Sequence, residues 1–120
     1  MADDAYYSWQ EAAFTVNILL AGGVDPENLE TGDSIVTLPG GEKYSALMMT
    51  REEISRVMDR QQSSAESLGG SYFCTPDLVV VRSRGVAAMI DIVRDLVESE
   101  EISRLLPRIS NDGILEIPSN

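Results

Sequence analysis

Catalysis near neutral pH runs most often through histidine, and this chain contains none. Its absence excludes Ser-His-Asp and Cys-His nucleophilic centres as well as His-ligated metal sites. One cysteine and a surplus of carboxylates remain as candidates for chemistry. Cys74 would need a base or a cationic neighbourhood to become a thiolate nucleophile. Its neighbours are Phe73 and Thr75, and it reads as a small buried thiol in a strand. Being alone, it cannot form an intramolecular disulfide, which fits a reducing compartment. Among the carboxylates, Asp91, Asp95 and Glu98 fall on one helical face, and Glu52 and Asp59 do so less neatly. Clustered acids can take Mg²⁺ or Ca²⁺, but a cation cage needs ligands converging from separate elements. Arg94 stands inside the first set, so a solvated helix face accounts for the same spacing. The acids Asp25, Glu27, Glu30 and Asp33 lack EF-hand spacing. The glycine pairs at 22–23, 40–41 and 69–70 belong to no phosphate-cradling motif. The junction from Val79 to Val86, flanked by Arg82 and Arg84, offers an anion only what any strand-to-helix unit offers. No catalytic residue, metal or cofactor is expected.

Charge is the stronger signal. Twenty acids face nine bases, eight of them arginine, for a formal charge of -11. Such a surface repels nucleic-acid phosphates and anionic lipid, so neither direct nucleic-acid binding nor membrane association is expected. A basic protein is the natural complement. The start, Met1-Ala2-Asp3-Asp4, is acidic where a secretory signal is basic and then apolar. The longest apolar runs are too short to span a bilayer. These features place the protein in the cytoplasm.

Elements must position these groups, and 120 residues suit a single domain spanning 1–120. Ser8 and Glu11 have capping-box spacing, and Trp9, Ala12, Ala13, Val16, Leu19 and Leu20 share a helical face ending at Gly22-Gly23. A first helix is therefore expected. A strand from Phe14 to Leu20, with Phe14, Val16, Ile18 and Leu20 alternating, is the rival reading. Tyr6, Tyr7 and Trp9 would pack that helix onto the sheet. Residues 24–33 read as a loop. Ser34–Leu38, Pro39-Gly40-Gly41 and Lys43–Met49 read as a hairpin. Thr50 and Glu53 repeat the capping-box spacing ahead of a helix through Ile54, Val57, Met58, Gln61, Ala65 and Leu68. A second β region covers Ser71 to Arg82, where Pro76 splits it or marks an edge or bulge. Leu78-Val79-Val80-Val81 lacks alternation, as a central strand covered on both faces would. The clearest helix runs from Arg84 to Ser99 with Ser83 as N-cap and an apolar stripe through Val86, Met89, Ile90, Val93, Leu96 and Val97. A short continuation, Ile102 to Leu106, stops before Pro107. An Asn111-Asp112-Gly113 turn then leads to a last edge strand, Ile114 to Ile117. The pattern is α+β, with a mixed sheet of about four strands packed with three helices. Lys43 to Val81 would form a right-handed crossover.

The cadence Gly69-Gly70-Ser71-Tyr72-Phe73, then Pro76-Asp77 and the valine run, then an amphipathic helix, resembles small bacterial proteins of the immunity type. The resemblance covers about a third of the chain. It implies a cytoplasmic inhibitor that binds and blocks a toxin domain, and it assigns no inhibitory residue. In size, acidity and element order the chain is also similar to type III secretion chaperones, which are often dimeric.

The expectation that follows is a non-enzymatic, acidic protein-binding module. In its most concrete form it is an immunity-type inhibitor of a basic toxin, steered electrostatically onto its partner. Asp25, Glu27, Glu30 and Asp33, together with Asp91, Asp95 and Glu98, are the partner-binding candidates. The alternatives are a chaperone-like homodimer escorting a client, and a small-ligand or metal-dependent domain using clustered carboxylates.

Overall fold

Alternating burial dominates the first half of the chain. In the computed structural model, which describes residues 5–62, 67–110 and 113–116, the N-terminus is a hairpin rather than a helix. Strand β1 (Ala5–Gln10) pairs antiparallel with β2 (Thr15–Leu20). Phe14, Val16 and Ile18 are buried while Thr15, Asn17 and Leu19 are only partly so. This is the period-2 pattern of a sheet with one covered face. Ser8 caps nothing; its hydroxyl donates to Asn17 across the hairpin at 2.6 Å. The capping-box spacing was coincidental, because pairing between β1 and β2 outweighs the modest helix preference of Glu11-Ala12-Ala13. The hairpin also removes the helix-first order on which the chaperone resemblance rested.

Strand β3 (Thr31–Thr37) and β4 (Lys43–Thr50) form the expected hairpin around the Pro-Gly-Gly turn. β3 begins three residues earlier than expected, because Gly32 continues the buried set formed with Ser34 and Val36. β4 then carries three partners. It pairs with β3 along one edge. On the other edge it pairs with β5 (Leu78–Val81) in parallel and, at its start, with β6 (Arg108–Ile109) antiparallel. β7 (Leu115–Glu116) pairs with β6. The sheet is thus mixed, with seven strands among the described residues. The expected count of about four is too low, since β1 and β2 lie where a helix is expected and β6, only two residues long, carries no strand signal of its own. Residues 111, 112 and 117 of the expected C-terminal turn and strand lie outside the described residues, as does Ala65 of the expected middle helix.

Between the parallel strands β4 and β5 runs helix α1 (Arg51–Gln61), where Thr50 accepts from the Glu53 amide at 3.1 Å as its N-cap. A single turn, α2 (Ser67–Gly70), follows, with Leu68 and Gly69 in left-handed conformation. β5 corrects the expectation of a central strand. Among the described residues it pairs only with β4, and Val80 is 53% exposed. Cys74 is likewise exposed and lies in irregular chain before Pro76 rather than in a buried strand.

Helix α3 (Val86–Glu98) covers one sheet face with Val86, Met89, Ile90 and Val93, and α4 (Ile102–Leu105) adds Ile102. These side chains join Val16, Ile18, Val36, Ala46, Met48 and Val81 in one core. Ser83 does not cap α3. The N-cap is Gly85, at φ +101°, and its amide donates to the Leu29 carbonyl at 2.7 Å. That bond fastens the segment 24–30 to the start of α3.

Candidate functional site

The seven acids singled out from sequence separate into three environments. Asp25, Glu27, Asp95 and Glu98 are exposed and, among the described residues, make no ion pair. They are carried by the segment docked on Gly85 and by the outer face of α3. Thirteen residues separate Gly85 from Glu98, so at 1.5 Å per residue the two groups sit about 20 Å apart along the helix. The structure therefore presents them as two acidic areas rather than one cluster.

Glu30 and Asp91 are already engaged. Glu30 forms an ion pair with Arg56 at 2.5 Å and accepts from the Thr50 hydroxyl at 3.1 Å. The Arg56 guanidinium first, and Thr50 with it, hold its carboxyl below the usual glutamate range against the opposing effect of burial. Asp91 pairs with Arg94 at 2.7 Å. Arg94 also grips Glu11, donating from Nε at 3.0 Å and from Nη2. Glu11 additionally accepts from the Trp9 indole at 2.8 Å. Arg94 and then Trp9 lower the Glu11 pKa, and Glu11 and Asp91 raise that of Arg94. The bond ties α3 to the turn between β1 and β2, across 83 residues of chain. Tyr7 and Trp9 line a neighbouring cleft of about 230 Å³ with Val86, Ala87 and Ile90. Tyr7 and Trp9 thus stand on β1 beside α3, whereas Tyr6 is on the opposite face and 58% exposed.

Asp33 belongs to neither group. It is not on the loop but on β3, opposite Leu47 and on the sheet face away from α3. Among the described residues it makes no hydrogen bond or ion pair. The residue is exposed on that face; partial desolvation first, and then the charge of Asp77, raise its pKa. Asp77 itself is 9% exposed; it accepts from the Ser45 hydroxyl at 2.6 Å and from Thr75 at 3.0 Å. Sequence reasoning overlooked this acid. Its signal was the Thr-Pro-Asp turn before an apolar run, and its partner Ser45 is 32 residues away.

The linkage signs differ among these acids. Glu11 and Glu30, with lowered folded pKa values, stabilise the fold above the unfolded glutamate value of 4.5, and that contribution is lost as pH falls through the folded values. Asp33, with a raised value, favours the folded state only while protonated, an advantage lost as pH rises from 3.8 through its folded pKa. Because Asp33 is exposed and solvent screens its charge, Asp33→Asn is accordingly expected to raise the melting temperature at pH 7 only slightly, by no more than about 2 °C. The gain should vanish below pH 3.8, and thermal melts across pH 3 to 8 measure it.

Among the described residues no three His, Cys, Asp or Glu side chains converge as a metal site, and no helix is long and apolar enough to cross a membrane. No protein-family model, curated protein or solved structure matches this chain.

Proposed function

We propose that this protein is a non-enzymatic binding module that engages a basic protein partner through its acidic surface, as an immunity-type inhibitor does when it blocks a toxin. One observation carries the reading. Arg94, the cation inside the acidic face of α3, is turned toward Glu11 and Asp91, which leaves Asp95 and Glu98 exposed and, among the described residues, without an ion pair. The negative field on that face is thus preserved rather than neutralised. Asp25 and Glu27 form a second acidic area at the other end of the helix, where the Gly85–Leu29 bond holds their backbone in place. Fixed like charges on a rigid helix steer a cationic partner and set its orientation more than they add raw affinity.

The test uses a fluorescent arginine-rich peptide as a surrogate basic partner. Its association rate with the wild type should fall steeply between low and physiological salt. The quadruple variant Asp25→Asn, Glu27→Gln, Asp95→Asn, Glu98→Gln should associate about tenfold more slowly at low salt with an unchanged melting temperature. A rate indifferent to both salt and these substitutions would overturn the proposal.

A further inference from the structure

Strand β1 ends the sheet, and among the described residues it pairs only with β2. The hairpin fixes which way its backbone groups point. At the turn, the Glu11 amide donates to the Phe14 carbonyl at 2.8 Å. Bonded and non-bonded pairs alternate along an antiparallel ladder. Trp9, Tyr7 and Ala5 therefore bond to β2, and the N–H and C=O groups of Tyr6, Ser8 and Gln10 point away from it. This edge carries none of the usual devices against further pairing. Its six residues, Ala5-Tyr6-Tyr7-Ser8-Trp9-Gln10, include no charge and no proline, and they pair one for one with β2 without a bulge.

A second, independent feature lies alongside. The cleft of about 230 Å³ between β1 and α3 has Tyr7, Trp9, Val86 and Ile90 in its walls. Tyr7 and Trp9 stand opposite Ile18 and Val16, on the covered side of the sheet. Every second residue of a strand added beside β1 would thus enter this cleft. The residues between would emerge on the other face beside the exposed ring of Tyr6. Charge selects the occupant. A second copy would bring another -11 to the edge, and that repulsion opposes self-pairing. A segment with basic residues at the intervening positions is drawn by the same field, and a guanidinium over the Tyr6 ring gains a cation–π contact.

We propose that β1 is the docking edge for the basic partner. An extended segment of that protein adds as a strand antiparallel to β1, the more stable pairing per residue. Its apolar side chains fill the cleft between β1 and α3, and its basic side chains alternate with them. Such strand addition takes affinity from main-chain bonds and selectivity from alternate side chains. The proposal rests on the reading of a basic partner and deepens it by naming the mode of recognition. The acids of α3 guide the segment, and the backbone of Tyr6, Ser8 and Gln10 holds it.

The experiment titrates the full chain with a fluorescent, acetyl-capped peptide that alternates arginine and leucine, with arginine at both ends. Saturable binding should shift the amide resonances of Tyr6, Ser8, Gln10 and Ile90 and slow the exchange of the first three with water. In the antiparallel register the arginine N–H groups face β1 and the leucine N–H groups face solvent. N-methylation of the arginine amides should therefore weaken binding about tenfold or more, and N-methylation of the leucine amides should leave it within about threefold. Equal losses from the two methylated peptides, or a loss from the leucine set alone, would overturn the proposal. So would equal binding by a peptide with its arginines and leucines segregated into blocks, or protein that sediments as a dimer with these amides already protected before peptide is added. Salt-dependent association of the arginine-rich peptide needs no strand pairing, so it survives each of these outcomes and the two proposals fail separately.

Discussion

Gly85→Ala is expected to destabilise the protein by about 3 kcal/mol, lowering the melting temperature by about 10 °C. Two independent causes combine at this position. The backbone has φ +101°, a conformation that L side chains rarely adopt, and a Cβ would stand 3.0 Å from the Glu27 carbonyl oxygen. Relief of that contact would push the segment 24–30 off the start of α3 and stretch the 2.7 Å bond from the Gly85 amide to Leu29. Leu29 is 3% exposed and belongs to the core, so the loop cannot lift without exposing apolar surface. Thermal or urea unfolding gives the stability change. A loss below about 0.5 kcal/mol would show that the segment is not anchored there, since ordinary surface substitutions stay within that range.

The second large effect separates the two readings of the N-terminal segment. Ile18→Ala should cost about 3–4 kcal/mol, and Leu19→Ala about 1 kcal/mol. In the hairpin Ile18 is fully buried against the α3 side of the sheet, while Leu19 lies on the other face and is partly exposed. A helix with the stripe Val16, Leu19 and Leu20 would reverse the order of the two costs. Paired denaturant titrations decide it, and a larger loss for Leu19→Ala would refute the strand.

Where local signals and long-range pairing agree, the fold is readable from sequence. The Pro-Gly-Gly turn fixes the β3–β4 hairpin, Thr50 caps α1 as its spacing to Glu53 suggests, and the α3 stripe buries Val86, Met89, Ile90 and Val93 as expected. The failures share one cause. Ser8 and Glu11 look like a cap until Asn17 and Arg94 are known to be their partners. The apolar run Leu78 to Val81 looks central, although only β4 lies beside it among the described residues. Cys74, between Phe73 and Thr75, reads as a buried strand residue, whereas it is exposed and the strand starts only after Pro76. For the candidate site, exposure of Asp25, Glu27, Asp95 and Glu98 follows from helix and loop patterning. The engagement of Glu30 by Arg56, and that of Asp77 by Ser45, arise from residues far apart in the chain, which spacing alone does not report.

The three-partner strand β4 also bears on the order in which the chain can complete itself during synthesis. By the time Thr50 has emerged, β1 to β4 can zip as a meander of neighbouring strands, each closing a short loop. One edge of β4 must then wait for Leu78 to Val81 and again for Arg108 and Ile109. Until α3 arrives, the sheet face bearing Val16, Ile18, Val36, Ala46 and Met48 has no cover. A nascent chain stalled in this interval would display an unpaired strand edge beside a bare apolar face, the combination that favours capture by chaperones or by other chains. The many acids of the segment 24–33 would travel with that intermediate, and their mutual repulsion opposes its self-association before the core is closed.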